Sequence, residues 1–315
     1  MSIIEQAAKR LEELRRAGVE ISPHLGYGSN DSMLVESEEI PIAALRRSKE
    51  SQRLVVSQDD ASLARPTAVQ SRRVDLDLAR IAASGIITPE SPRSLLADEF
   101  RVMKRPLIAN ATGKGTARVR NGNLIMVTSS LPAEGKSFTA VNLAMSIAME
   151  MDHTVLLVDA DVARPSLPAM LGLPPTPGLL DLLVDGSVDL SRVLLKSNVE
   201  KLAILPLGTQ HPRATELLAS EVMKRLLEEM VSRYSDRIII FDSPPLLVTT
   251  EARVLATHMG QIVVVVQAER TTQVDVKQAL ATIESCPVKL MMLNKGRTAS
   301  KSNYGYGYGY EYAPR

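Results

Sequence analysis

Leu124 to Ala140 reads LIMVTSSLPAEGKSFTA, a short apolar run, a turn of small and polar residues, then Gly135-Lys136-Ser137 opening an apolar stretch. That order spells a buried strand, a loop and a helix start, with a Gly-Lys-Ser triplet at the junction. A phosphate-binding loop needs backbone N–H groups curled around the anion. It also needs a lysine for the outer phosphates, a hydroxyl for Mg²⁺ and a helix N-terminus behind them. Lys136 and Ser137 fill the two side-chain roles, and Ser130 stands where the first glycine of the usual pattern would be. The triplet alone occurs in ordinary exposed loops; its place between strand and helix is what makes it specific.

Downstream, β-branched apolar runs alternate with helical stretches, the pattern of a parallel sheet covered on both faces. The expected strands are Leu124 to Thr128, Val155 to Val158, Leu202 to Leu205, Ile238 to Phe241, Ile262 to Val266 and Leu290 to Leu293. The expected helices are Lys136 to Met151, Thr215 to Tyr234, Thr250 to His258 and Val274 to Glu284. This is an α/β fold, a doubly wound and mostly parallel sheet whose ligands belong at the C-terminal ends of its strands.

Two further strand ends carry acid. VLLVDADVARP places Asp159 and Asp161 two residues apart, on one side of an extended chain. RIIIFDSPP delivers Asp242 to the sheet edge before a Ser-Pro-Pro turn. Carboxylates beside a triphosphate suit Mg²⁺ coordination and acceptance of a hydroxyl proton. Acidic exits from strands are common for solubility alone, but three strand ends converging on one crevice point to ATP and Mg²⁺ as cofactors.

Composition sets the surroundings. The chain has 315 residues, 45% of them hydrophobic, with 37 basic and 36 acidic side chains for a formal charge of +1, so no overall field favours nucleic acid. The single cysteine, Cys286, excludes an internal disulfide framework and is expected to be a packing residue. His24, His153, His211 and His258 are scattered without metal-ligand spacing. The charged N-terminus is no secretory signal, and the longest apolar runs fall far short of the roughly 20 residues a spanning helix needs. The expectation is a soluble, cytoplasmic protein that reaches the inner membrane only through a partner.

Residues 1–18 read as an amphipathic helix, with Ile4, Ala7, Ala8, Leu11 and Leu14 on one face. Residues 19–93 are rich in Ser, Asp, Arg and Pro and are expected to be a largely disordered linker. The domain proper is expected over 94–296, opening on a helix at 94–108. On that helix Asp98, Arg101 and Lys104 form a charged stripe at spacings of three, which by itself is an ordinary solvated face. In the tail, 297–315, YGYGYGYEY concentrates Tyr304, Tyr306, Tyr308, Tyr310 and Tyr312, five of the chain's seven tyrosines, so they do not serve the core. The glycines between them favour reach, and each phosphate added there would bring about −1.5 to −2 charges. A low-complexity aromatic tail that merely sticks to partners is the plainer alternative.

Taken together, SSLPAEGKS, VLLVDADVARP and IIIFDSPP resemble the three nucleotide motifs of the bacterial tyrosine kinases, derived from P-loop ATPases that include the Min and Par partitioning proteins. VLLVDADVARP, ATELLAS and SIIEQAAKRLEELRRA are similar to the stand-alone tyrosine autokinases of exosortase and exopolysaccharide loci. The resemblance implies autophosphorylation of the tail tyrosines in trans. It makes Lys136, Asp159, Asp161 and Asp242 catalytic, with Asp159 a candidate base for the tyrosine hydroxyl. Ser130, Glu134, Gly135, Lys136, Ser137, Phe138 and Asn294 would bind nucleotide, and Ser137, Asp161 and Asp242 would organise the metal. Asn294 is either an adenine contact or an ordinary strand cap.

DEFRVMK resembles the family's oligomerisation helix, which implies a ring of identical chains assembled through Asp98, Arg101 and Lys104. The implied partners are a membrane-embedded polysaccharide copolymerase, or chain-length determinant, as a separate chain and a protein tyrosine phosphatase. One departure is visible: Ala163 stands where many relatives carry a basic residue, and the arginine falls at Arg164. Two rivals are a partitioning-type ATPase switch and a non-catalytic nucleotide-binding scaffold. Against the first, Ser129 and Ser130 occupy the region where partitioning ATPases carry an extra lysine.

Overall fold

The computed structural model describes residues 72–115, 117–233 and 236–296. The expected N-terminal helix, the linker up to residue 71 and the tyrosine tail lie outside the described residues.

Eight strands form one sheet: β1 (Arg72–Val74), β2 (Leu124–Ser129), β3 (Thr154–Asp159), β4 (Leu195–Ser197), β5 (Leu202–Leu205), β6 (Arg237–Asp242), β7 (Gln261–Gln267) and β8 (Val288–Asn294). Their spatial order is β1-β4-β5-β3-β6-β2-β7-β8, and every pairing is parallel except β4 with β5. All six strands expected from the apolar runs are present. Burial explains their legibility: every residue of β2 is buried, so the strand reads as a continuous hydrophobic run.

Ten helices are described: α1 (Leu78–Ala83), α2 (Leu95–Ala111), α3 (Lys136–Ala148), α4 (Leu167–Leu171), α5 (Leu179–Val184), α6 (Leu190–Val193), α7 (Ala214–Leu218), α8 (Glu221–Arg233), α9 (Thr250–Ala256) and α10 (Gln273–Ala281). The pleat sorts side chains to two cores. Leu124 and Met126 of β2 face the layer of α5 to α10, whereas Ile125 and Val127 face α1 to α4. α3 lies deepest, with eleven of its thirteen residues buried. The helix expected over Thr215 to Tyr234 is two helices. Ser220 breaks it: its hydroxyl donates to the Leu217 carbonyl (2.7 Å) and accepts from the Met223 N–H (3.2 Å), ending one helix and capping the next.

Order also begins earlier than the linker expected up to residue 93. β1 pairs with β4 from Arg72 to Val74. Beyond it, Leu76 and Asn198 exchange two hydrogen bonds, Leu76 N–H to Asn198 Oδ1 at 2.9 Å and Asn198 Nδ2 to the Leu76 carbonyl at 3.0 Å. Leu76, Ile81, Ile86 and Ile87 are buried in the α1–α4 core, and the Ile87 N–H donates to the buried Asn142 Oδ1 on α3 (2.8 Å). Four buried apolar side chains are enough to fix a segment whose composition is otherwise polar. Among the described residues, no helix is long and apolar enough to cross a membrane.

A protein beginning at Ser94 loses the four anchors and should be less stable in urea by at least about 3 kcal/mol than one beginning at Arg72. Equal midpoints for the two would show that 72–93 adds nothing to the fold.

Candidate functional site

β2, β3 and β6 are adjacent and parallel, so their C-terminal ends meet along one edge, and the side chains singled out from the sequence gather there. β2 runs into the loop from Ser130 to Gly135, which enters α3. Gly135 is the N-cap of α3 with φ 100°, and no side chain caps the helix. The first-turn N–H groups are thus left for a ligand, with the helix dipole behind them. A Cβ at residue 135 would stand 2.1 Å from Asn294 Nδ2, which adds a steric reason for glycine to the conformational one.

Tethers to the ends of β7 and β8 shape the loop. Asn294 Nδ2 donates to the Glu134 carbonyl (2.9 Å) and Lys295 Nζ to the Ala133 carbonyl (2.7 Å). In a trans peptide the following N–H points opposite to the carbonyl, so these tethers turn the Glu134 and Gly135 N–H groups away from β8. Glu134 is buried and its carboxylate works inside the loop, accepting from the Leu131 N–H (2.7 Å), the Thr271 hydroxyl and the Gln267 N–H (3.4 Å). The Glu134 side chain is thus a brace of the loop, and its backbone N–H is the group free to meet phosphate. Phe138 is half-buried, its side chain packed against the core of α1 to α4. Asn294, with Oδ1 on the Lys295 N–H (2.9 Å) as well, has the hydrogen bonds of a strand cap.

Opposite the loop stand the carboxylates. Asp159 and Asp242 end β3 and β6 in register with each other, and both are fully buried; Asp161 is 1% exposed. The chain does not stay extended to Asp161. That residue lies beyond β3, where its Oδ1 accepts from the Ala163 (3.2 Å) and Arg164 (3.0 Å) N–H groups in an Asx-type turn. Its Oδ2 pairs with Lys136 Nζ, which also stands 4.0 Å from Asp242 Oδ1 and donates to Ser137 Oγ (3.2 Å). Asp159 Oδ1 accepts from the Asp161 N–H (3.2 Å).

One lysine among three buried acids leaves charge uncompensated. Burial first, then repulsion from Asp242, pushes the Asp159 carboxyl up to about 8. Burial raises Asp242 to about 6, with Lys136 and then the Ser137 hydroxyl pulling it back. Asp159 Oδ2, both oxygens of Asp242 and Ser130 Oγ are buried without a normal hydrogen bond. Such atoms await a ligand or cation. No group of three Asp, Glu, His or Cys side chains among the described residues forms a cage by itself. That donor set suits Mg²⁺, which is commonly held by one or two carboxylates together with phosphate oxygens and water.

The charged stripe on α2 divides. Asp98 and Arg101 are exposed and pair with each other. Lys104, expected beside them, is 4% exposed and points inward, donating to the Ser146 carbonyl (2.6 Å) at the end of α3 and pairing with Glu150 (2.7 Å). That hydrogen bond lowers the Glu150 pKa. The three-residue spacing drifts around the helix, and the third position meets the neighbouring helix end, where a cation is favoured. Cys286 is buried and its thiol is pushed up by that burial, in keeping with packing. The loop braces Thr271, Gln267 and Lys295 were not singled out from sequence, since no motif marks them.

Comparison with known proteins agrees with this geometry. The AAA domain family matches residues 123–294. Tyrosine-protein kinase YwqD of Bacillus subtilis (strain 168) is 31% identical over 221 residues, 70% of this chain and 89% of the relative. The succinoglycan biosynthesis transport protein ExoP of Rhizobium meliloti (strain 1021) is 32% identical over 188 residues, 59% of this chain and 23% of that protein. Among solved structures, the chimerical protein CapA2B2 superposes with a TM-score of 0.56 at 26% identity, covering 70% of this chain and 93% of that one. With the phosphate loop and acidic strand ends inside the matched 123–294 and 89% of YwqD covered at 31% identity, the chain belongs to the bacterial tyrosine-protein kinases.

Proposed function

We propose that this kinase uses Mg-ATP to phosphorylate the tyrosines of its own C-terminal tail, Tyr304, Tyr306, Tyr308, Tyr310 and Tyr312, in trans within an assembly of identical chains. The observation that carries this reading is the placement of Lys136: at the foot of the uncapped α3, paired with Asp161 and within 4.0 Å of Asp242. Bound Mg-ATP supplies the phosphoryl group and the divalent charge. The chain's own residues do the positioning. N–H groups of the loop and the first turn of α3 would hold the phosphates, Lys136 would neutralise them, and Ser137, Asp161 and Asp242 would hold the metal. Glu134 and Asn294 keep the loop in the shape that allows this.

Asp159 is poised differently. With its carboxyl at about 8, it holds a proton at neutral pH in the nucleotide-free site. Because phosphoryl transfer passes through a loose transition state, little base strength is required. Asp159 then acts by accepting the tyrosine hydroxyl's hydrogen bond, becoming the stronger acceptor once cationic charge enters the site. The polysaccharide setting rests on the family resemblance and on the name of the relative ExoP. A membrane-embedded copolymerase carried on a separate chain would recruit the protein to the inner membrane, and a phosphatase would reset the tail. The exposed Asp98–Arg101 pair on α2 is the part of the stripe left to serve a ring contact.

Phosphotyrosine mass spectrometry after incubation with Mg-ATP tests the proposal. Phosphate should appear on the tail, fall by at least about 100-fold in Lys136→Ala, and vanish from a protein ending at Ser302 that still hydrolyses ATP. Tail phosphate undiminished in Lys136→Ala would point to another kinase.

A second test reads Asp159 without nucleotide. A carboxyl whose folded pKa is raised binds its proton more tightly when folded, so its presence costs stability progressively as pH rises from about 4 towards 8. Thermal melts should therefore find Asp159→Asn close to wild type near pH 4, with its advantage growing as pH rises. By pH 8 the variant should be more stable by at least about 1.4 kcal/mol, the worth of one pKa unit. A pH-independent difference would remove the charge argument.

A further inference from the structure

The two edges of the sheet are guarded very differently. β1 is a three-residue strand carrying Arg72 and Arg73, both exposed, and short or charged edges discourage further pairing. β8 is seven residues long, VKLMMLN, and is paired along its whole length with β7, with no strand on its other side among the described residues. The single charge within it does not guard the edge, because Lys289 Nζ is turned onto the carbonyls of Ile283 (3.4 Å), Glu284 (3.3 Å) and Cys286 (2.6 Å).

One face of β8 is also uncovered. Met291 and Leu293 lie in register with Val264 and Val266 of β7, on the side where α10 packs. Val264 and Val266 are buried there, whereas Met291 is 56% and Leu293 69% exposed. The layer of helices ends one strand short of the sheet. An unpaired edge beside an uncovered apolar face has the form of a docking site for one more strand.

The chain itself carries the segment that fits. Lys295, immediately after β8, has φ 57° and is held there by its own contact with the Ala133 carbonyl, so the backbone turns away from the strand direction at this point. Nineteen residues follow Gly296, and from 304 to 312 every second one is tyrosine. In an extended strand that period puts all five rings on one face and the small residues on the other. Residues 297–303 give ample length for a reversal into an antiparallel partner.

We propose that residues 304–312 dock as a ninth strand, antiparallel on the open edge of β8, with the tyrosine rings covering Met291 and Leu293. The docked tail is thereby held at the edge opposite β1, four strand positions from β6 and five from β3, where the acceptor hydroxyls are stored away from the carboxylates. Phosphates on alternate residues would stand about 7 Å apart on one face, and their mutual repulsion, together with the cost of placing charge on apolar surface, would release the strand. The docking itself is independent of the proposed autokinase activity; only the release rests on it.

Hydrogen exchange of the full chain at low micromolar concentration, without nucleotide, tests this. Ending the chain at Ser302 should speed exchange of the 288–294 amides at least tenfold. Leu293→Glu, a change at an exposed position, should speed tryptic cleavage after Lys301 by a similar factor. Unchanged exchange on truncation would overturn the proposal. Protection that is lost on dilution but not on truncation would also overturn it, in favour of β8 pairing with β8 of a second copy. Adding Mg-ATP separates the two readings. Docking without any phosphotyrosine would sink the autokinase and leave the ninth strand standing, while phosphorylation without protection of β8 would do the reverse.

Discussion

The ion pair between Lys136 and Asp161 is the contact on which the site depends. Three carboxylates brought to one sheet edge with no water around them would repel one another, and burying an unpaired charge costs several kcal/mol. A single ammonium shared among Asp161, Asp242 and Ser137 is what lets the strands end where they do. The compensation is incomplete, as the raised Asp159 and Asp242 carboxyls show. Stability is therefore spent where chemistry is to happen, a common feature of catalytic sites.

The loop's shape is fixed from the opposite side of the sheet. Asn294 and Lys295, at the end of the last strand, hold carbonyls of a loop some 160 residues earlier in the chain. Glu134 ties the same loop to Thr271 and Gln267 after β7. The phosphate cradle cannot form until β7 and β8 have joined the sheet, so the site is a property of the completed fold and not of the Gly-Lys-Ser segment alone. The same two strands thus serve the P-loop on one end and leave an open edge on the other side.

What could be read in advance follows from burial. Strands covered on both faces are uninterrupted apolar runs, and all six expected ones exist. The motif residues were legible because they stand where apolar runs give way abruptly to polar sequence: Asp159 and Asp242 end strands, Asp161 follows two residues after β3, and Lys136 and Ser137 open α3. The segment from Arg72 to Ile87 was not, since its four anchors are scattered through polar sequence and its pairing with β4 is non-local. Lys104 was misplaced because a spacing of three says which residues share a stripe, and not what that stripe meets. The bracing role of the Glu134 carboxylate could not be read in advance, because its partners Thr271 and Gln267 are more than 130 residues away in the chain.

The balance of charge at the sheet edge also constrains how the nucleotide and the fold are linked. Withdrawing Lys136 from Asp161 to meet phosphate would leave Asp161 and Asp242 facing each other unpaired, a loss larger than most single contacts supply. Phosphate alone would make the site still more negative. The exchange is favourable only when a divalent cation enters with the phosphates, so that positive charge arrives at the carboxylates as the lysine departs. On this argument the carboxylates make the site selective for metal-bound nucleotide over the free anion. The buried oxygens of Asp242 and Asp159 that lack a hydrogen-bond partner fit this argument, since a cation would supply what they want.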